Sequence, residues 1–364
     1  MEKRLMKIGF FSPYIPKHFG GGEKHFFDVA QELASEHAVW IAVPVSSSEE
    51  LQSYKQAYES FLGRKLHPAI TFVQSPFYGG GFLEKTLWTR QFDYFYYVTD
   101  GSLFFSLAKK NNLHIQIPLI LDKSSLLERL KLRNWQIKNT NSEFTKKLVE
   151  KYWKTSIDVV NYPMIVIPTR IPAKKEKIIL HVGRFFRQLH AKRQDVLVAI
   201  FKELLTRHPR RTKGWKLVFI GTVEDEDYFK ELLEQAKGLP IEFIRDASHA
   251  QLQQLYKKAQ IYWHATGYEV SEEKHPEKVE HFGITTAEAM SYGVVPIVLG
   301  KGGQVEVVGS LGKEVLWKSK EECLAITAGI LKDEKYRKKL AVQARIEVKK
   351  FSKEAFTARV KEMV

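Results

Sequence analysis

The chain has 364 residues, enough for two domains with large buried cores. Its 57 Lys and Arg against 42 Asp and Glu leave a formal charge of +15, which points to an anionic partner such as nucleotide phosphate, nucleic acid or lipid headgroups. A single cysteine, Cys323, excludes an intrachain disulfide and a cysteine metal cluster, and no apolar run reaches the ~18 residues of a membrane span. With no cleavage-like site near the start, the expectation is a soluble protein of the reducing cytoplasm, with contact at the inner membrane face as a further expectation.

In chain order, residues 7–13 form a short apolar run ending in Ser-Pro, which predicts a buried parallel strand. Gly20, Gly21, Gly22 and Glu23 then open an amphipathic helix carrying Phe26, Phe27, Val29, Ala30 and Leu33. Strand, glycine loop and helix in that order let backbone amides approach a phosphate, although a plain flexible turn has the same composition. Further strands are predicted at 38–44, 70–76, 93–99 and 115–120, which makes this half α/β. Gly79–Gly81 reads as a hinge or surface turn. Residues 124–138 place leucines and Trp135 among lysines and arginines. Such a basic amphipathic helix can rest on an anionic membrane, or be an ordinary surface helix with its leucines in the core. A strand at 135–141, a helix capped by Ser142 and running to about Trp153, and an extended piece at 159–163 complete the half.

Pro168, Pro172 and the charged residues 173–177 read as a linker. Beyond it, strands at 178–183, 216–221, 241–245, 261–265, 294–299 and 315–317 alternate with helices, predicting a second doubly wound half. Ligands of such sheets bind at the carboxyl ends of the strands. The expected division is 1–168, 169–345 and a C-terminal basic helix, 346–364, folding back on the first half.

The second half holds the chemistry. Arg184 follows its first strand and Lys192 lies eight residues on, a guanidinium fork and a point charge suited to a diphosphate. Glu280 precedes Phe282 and Gly283, where a helix is predicted to start, and Glu288 lies one turn inside it. The amides of Phe282, Gly283 and Ile284 would suit an anionic ligand; the two glutamates could equally be acids near a positive helix end. Ile284, Ala287 and Met290 are expected on the buried side of that helix. Asp225, Glu226 and Asp227 have a D-x-D form but read better as an N-cap and first-turn charges.

Together these motifs resemble the family-4 retaining glycosyltransferases of the GT-B fold, two Rossmann-like doubly wound domains facing a central cleft. Glu280 to Glu288 is similar to the family's E-x7-E motif, and Val182-Gly183-Arg184 with Lys192 to its Arg and Lys pair. Gly20-Gly21-Gly22-Glu23 is similar to the first-domain glycine loop, and Lys301-Gly302-Gly303-Gln304-Val305-Glu306 to the donor-domain glycine loop. The resemblance implies a nucleotide-diphosphate sugar held by the second domain and a glycan or lipid-linked acceptor bound by the first. It implies that Arg184 and Lys192 hold the diphosphate, Glu288 the ribose hydroxyls and Glu280 the donor sugar. The backbone of Phe282, Gly283 and Ile284 would lie near sugar or phosphate, Ile244 and Arg245 near the nucleobase, and Gly302 and Gly303 at the donor. No cofactor and no essential metal are expected, because the two cations supply positive charge at the leaving group.

The chain departs from the family where a first-domain histidine is usual: Gln116 stands there, two residues after His114. Residues 269–279 form a Glu- and Lys-rich insertion, read as a donor-shaping lid or a solvated loop. A nucleotide-sugar epimerase of the same fold and a non-catalytic binder of nucleic acid or membrane are the alternatives. Nucleic acid is not expected, since paired glutamates at a strand end would repel its phosphates.

Overall fold

A computed structural model describes residues 5–16, 19–188 and 190–364. The chain forms two compact units, residues 1–164 with 353–364, and residues 165–352. The sequence reading set the corresponding boundaries at 168/169 and 345/346.

In the first unit seven parallel strands form one sheet: β1 (Lys7–Phe11), β2 (Ala38–Val43), β3 (Ile70–Gln74), β4 (Tyr94–Val98), β5 (Lys110–Ile115), β6 (Ile137–Thr140) and β7 (Val159–Val160). Their spatial order is β3-β2-β1-β4-β5-β6-β7. The second unit has β8 (Ile178–Val182), β9 (Lys216–Gly221), β10 (Ile241–Arg245), β11 (Ile261–His264), β12 (Val295–Leu299) and β13 (Leu316–Trp317), in the order β10-β9-β8-β11-β12-β13. Both are α/β sheets of the Rossmann-like, doubly wound kind. Strand order reverses between β1 and β4 in one and between β8 and β11 in the other, and such switch points open a crevice at the strands' carboxyl ends.

One predicted strand is displaced. The fifth strand is Lys110–Ile115, not 115–120. Its Lys-Asn-Asn start reads as a loop, yet Asn111 and Asn112 are buried with partial partners from neighbouring elements: Asn111 donates from its backbone N to Gln136 Oε1 and from Nδ2 to Asn134 O, and Asn139 Nδ2 donates to Asn112 Oδ1. Elsewhere the strands lie within one or two residues of the expected ends, apart from β7, which is only Val159–Val160 of the extended piece expected over 159–163. Val295–Leu299 is an apolar run buried on both faces, whereas the edge strand Ile241–Arg245 is only partly covered.

The basic C-terminal stretch is two helices, Glu334–Glu347 and Lys353–Glu362, joined by the short 3-10 turn Val348–Phe351. The last helix belongs to the first unit, where Phe356, Val360 and Met363 are fully buried in the core with Phe10, Phe26 and Tyr96. The turn belongs to the second unit, and Phe351 O accepts from Ile165 N at 2.8 Å.

Candidate functional site

The crevice of the second sheet is built from the ends of β8 and β11. After β8 the chain turns through Gly183, and a Cβ there would lie 2.7 Å from Lys192 Cγ, so only glycine lets the lysine stem cross this turn. Lys192 Nζ donates to Glu280 Oε2 at 2.6 Å. His264, the last residue of β11, brings Nε2 to 3.0 Å from the same oxygen and 3.1 Å from Thr266 Oγ1. An ionised carboxylate only accepts, so His264 Nε2 carries the proton it donates. Both donors converge on Oε2, and Oε1 accepts no hydrogen bond among the described residues; the Glu280 side chain is one-fifth exposed. The carboxylate is thus held by one oxygen and presents the other.

Burial alone would raise the Glu280 pKa, but the Lys192 charge and the His264 hydrogen bond more than offset it and hold the carboxyl well below its usual range. Burial lowers His264 against the opposing pull of Glu280, so the imidazole is neutral at pH 7.

Arg184 lies beside this cluster in sequence but makes a different contact. Its Nη1 donates to both carboxylate oxygens of Glu224 at 3.0 Å, and both side chains are more than a third exposed. Such a pair is weak in water and can be exchanged for phosphate oxygens at small cost.

The Glu280 loop is clasped by the glycine loop after β12. Gly303 N donates to Glu280 O at 2.8 Å. A Cβ on Gly302, whose φ is +59°, would lie 2.1 Å from that same carbonyl, and one on Gly303 would lie 2.2 Å from His281 O. Gly283, at φ +107°, starts the helix Ile284–Ser291. A Cβ there would meet the amide of Gln304, which is buried with neither polar atom hydrogen-bonded. Within this helix Ala287 and Met290 are buried and Ile284 only half so, because it sits on the first turn. Glu288 Oε2 accepts from Tyr256 Oη at 3.2 Å. Phe282 turns its ring into the core against Phe351 and leaves its backbone at the loop.

The insertion is tied down at several points. Glu272 Oε2 accepts from Gly302 N at 2.7 Å, and Lys301 Nζ donates to the carbonyls of Gly267 and Val270. Arg193 holds Tyr268 O and Glu269 from the other side.

Ile244 and Arg245 end the edge strand β10, where the guanidinium bonds Glu226 and lies over the Phe229 ring, 5.1 Å from its centroid. The acids after β9 are engaged: Asp225 caps the helix Glu226–Gln235 by accepting from Tyr228 N, Glu226 pairs with Arg245, and Asp227 with Lys230.

The first-unit loop is described separately. Gly20 precedes the helix Gly21–Ala34, with its N–H donating to Glu23 Oε2 at 2.9 Å. A Cβ on Gly22 would lie 2.5 Å from Gln116 Oε1, so Gln116 covers this loop. His114 is instead buried, bonded to Asn139 and set between the rings of His25 and Tyr96; burial lowers its pKa to about 4.

The structure therefore gathers Lys192, Glu280, Gly183, Gly302, Gly303 and Gly283 around one loop, with Glu288 one turn further along the helix. His264, Thr266 and Tyr256 are additions that motif reading missed, whereas Gln304 stood in the donor-domain glycine loop without a role of its own. His264 was reachable, as the last residue of the strand beside the switch point; Tyr256 had no signal.

Residues 168–347, just under half the chain, match the family model described as Glycosyl transferases group 1. The matched segment lies within the second unit. A Dictyostelium discoideum protein, "GDP-Man:Man(3)GlcNAc(2)-PP-Dol alpha-1,2-mannosyltransferase", is 27% identical over 183 residues, 46% of this chain. The aligned part spans about a third, 34%, of that relative's length. Among solved structures, HepE of Anabaena in complex with UDP and glucose superposes with a TM-score of 0.69 at 17% identity, covering 98% of each chain. Sucrose-phosphate synthase of Thermosynechococcus elongatus gives 0.67 at 14% identity, covering 99% of this chain and 98% of its own. At these identities the likeness shows the fold, which is GT-B.

Proposed function

We propose that the protein is a retaining, family-4 glycosyltransferase that moves a sugar, of hexosyl type, from a nucleotide-diphosphate sugar to an acceptor hydroxyl. The acceptor is a glycan or a lipid-linked glycan, and the product belongs to glycan, glycolipid or polysaccharide synthesis in the cytoplasm. The observation that carries this reading is the Lys192–Glu280–His264 cluster at the switch point of a group 1 glycosyl transferase domain.

In this reading the donor diphosphate takes Arg184 from Glu224 and lies against Lys192. Glu280 Oε1 accepts from a sugar hydroxyl, Glu288 from the ribose, and the edge at Ile244 and Arg245 meets the base. The bond from the anomeric carbon to the diphosphate oxygen breaks, and the acceptor oxygen bonds to that carbon on the same face. The departing phosphate oxygen takes the acceptor proton. Positive character grows on the sugar and negative charge on the diphosphate, so fixed cations at the phosphates lower the barrier without an essential metal. Support comes from relatives whose names record UDP, UDP-glucose and GDP-mannose chemistry.

The test is a thermal-shift panel of nucleoside diphosphates. Stabilisation of several degrees by UDP or GDP supports the transferase, and stabilisation only by polyanions such as heparin refutes it.

A further inference from the structure

One surface of the first unit keeps large apolar side chains outside the core. On the helix Leu126–Asn134, Leu126 is 76% exposed and Leu127 and Leu130 about half, whereas Leu132 is 5% exposed. At about 100° per residue, these three exposed leucines share one arc of the helix. Arg133 and Arg129 border that arc on one side and Lys131 on the other. The expected inward-facing stripe is therefore reduced to Leu132 and the neighbouring Trp135. Glu128, nearer the buried side, is answered by Lys123 at 2.6 Å and Lys131 at 3.0 Å, so it does not neutralise the arginines.

Two adjoining elements extend the surface. The helix Phe82–Thr89 exposes Phe82, Leu83 and Leu87, with Leu83 at 70%. Between the two helices runs the segment 101–109, which exposes Leu107. Its contacts join all three: Leu107 N donates to Thr89 Oγ1 at 2.8 Å, Ser106 N to Asn134 Oδ1 at 2.7 Å, and Trp135 Nε1 to Phe104 O at 3.1 Å. The rings of Phe82 and Phe105 lie 6.4 Å apart.

We infer that this surface docks on an anionic phospholipid bilayer. The apolar side chains enter the headgroup boundary while the exposed Arg129, Arg133 and Arg90 meet lipid phosphates. A second copy is the poorer occupant. A two-fold contact would set Arg129 and Arg133 against their own symmetry mates, like charges in an apolar interface. A helix with leucines flanked by arginines suits a surface that is apolar within and negative at its rim.

The experiment is co-sedimentation of the full chain with vesicles of phosphatidylcholine alone and with roughly 30% phosphatidylglycerol added. Binding to the anionic vesicles is expected, about tenfold or more tighter than to the neutral ones and reversed by salt. The double variants L126E/L127E and L83E/L87E should each weaken binding about tenfold. V342E, at a residue 62% exposed in the second unit, should bind as wild type. All these positions are exposed, so matched thermal midpoints will show that folding is intact. Absence of binding, binding unchanged in both double variants, or a wild-type dimer that these variants abolish would overturn the inference. None of these readouts involves nucleotide, so the transferase reading is tested separately.

Discussion

Lys192 Nζ lies 2.6 Å from Glu280 Oε2, and that oxygen also takes the hydrogen bond of a neutral imidazole, His264. Replacing Glu280 by Gln keeps the shape but removes the charge that Lys192 answers. We expect a loss of about 1–3 kcal/mol of stability and a fall in transfer of about 100-fold or more. Chemical denaturation and a transfer assay measure the two effects. Wild-type transfer in this variant would remove Glu280 from the chemistry.

Arg184 should behave differently, because its Glu224 pair is exposed. Arg184→Ala is expected to change stability by less than about 0.5 kcal/mol while weakening nucleoside diphosphate binding about tenfold or more. Glu224→Gln, which releases the guanidinium, should leave affinity unchanged or tighten it. Calorimetric titration of both variants checks this, and unaltered affinity in Arg184→Ala would withdraw the phosphate assignment.

His264 is expected to act as a positioning residue through Glu280. His264→Ala should lower kcat about tenfold or more with a smaller change in KM. His264→Gln, whose amide can donate in place of Nε2, should restore part of the rate. If both variants lost only stability and kept wild-type kcat, the imidazole would be a packing group.

Gly302→Ala tests the clasp. The new methyl meets Glu280 O at 2.1 Å in a left-handed backbone, so we expect a loss of about 2 kcal/mol or more with donor affinity falling alongside. A variant as stable as wild type would show that the two loops separate freely.

The buried histidines set an acid limit. Burial pushes His181 and His281 down to about 3 and His114 and His190 to about 4. The unfolded chain takes these protons near pH 6.5, roughly the ordinary histidine value, so as pH falls the unfolded state binds more protons than the folded one. Stability should be fully present above about 6.5 and decline progressively toward pH 4. Thermal midpoints measured across that range should fall steadily, and a flat profile from 6.5 to 5 would contradict the buried, neutral assignment.

Much of the fold was legible, because apolar runs such as Ile178–Val182 and Val295–Leu299 are buried on both faces and are bounded by glycine or proline turns. Lys110–Ile115 escaped because its burial depends on amide partners far along the chain, which local composition does not reveal. In the site, Glu280, Lys192 and the glycine loops announced themselves by spacing. The convergence of His264 and Lys192 on one carboxylate oxygen did not, because it arises from two strands whose paired residues are 82 apart in sequence being set side by side. Residues 124–138 illustrate the reverse: their period was plain, but which side faced water depended on what the core had room for, and of the leucines and the tryptophan it took Leu132 and Trp135.

The most direct measurement is calorimetric titration of UDP and GDP into the wild-type chain and Lys192→Ala. Saturable one-to-one binding of at least one nucleotide to the wild type is expected, with about a tenfold or greater loss in the variant. No binding of either nucleotide, or equal affinity in both proteins, would contradict it.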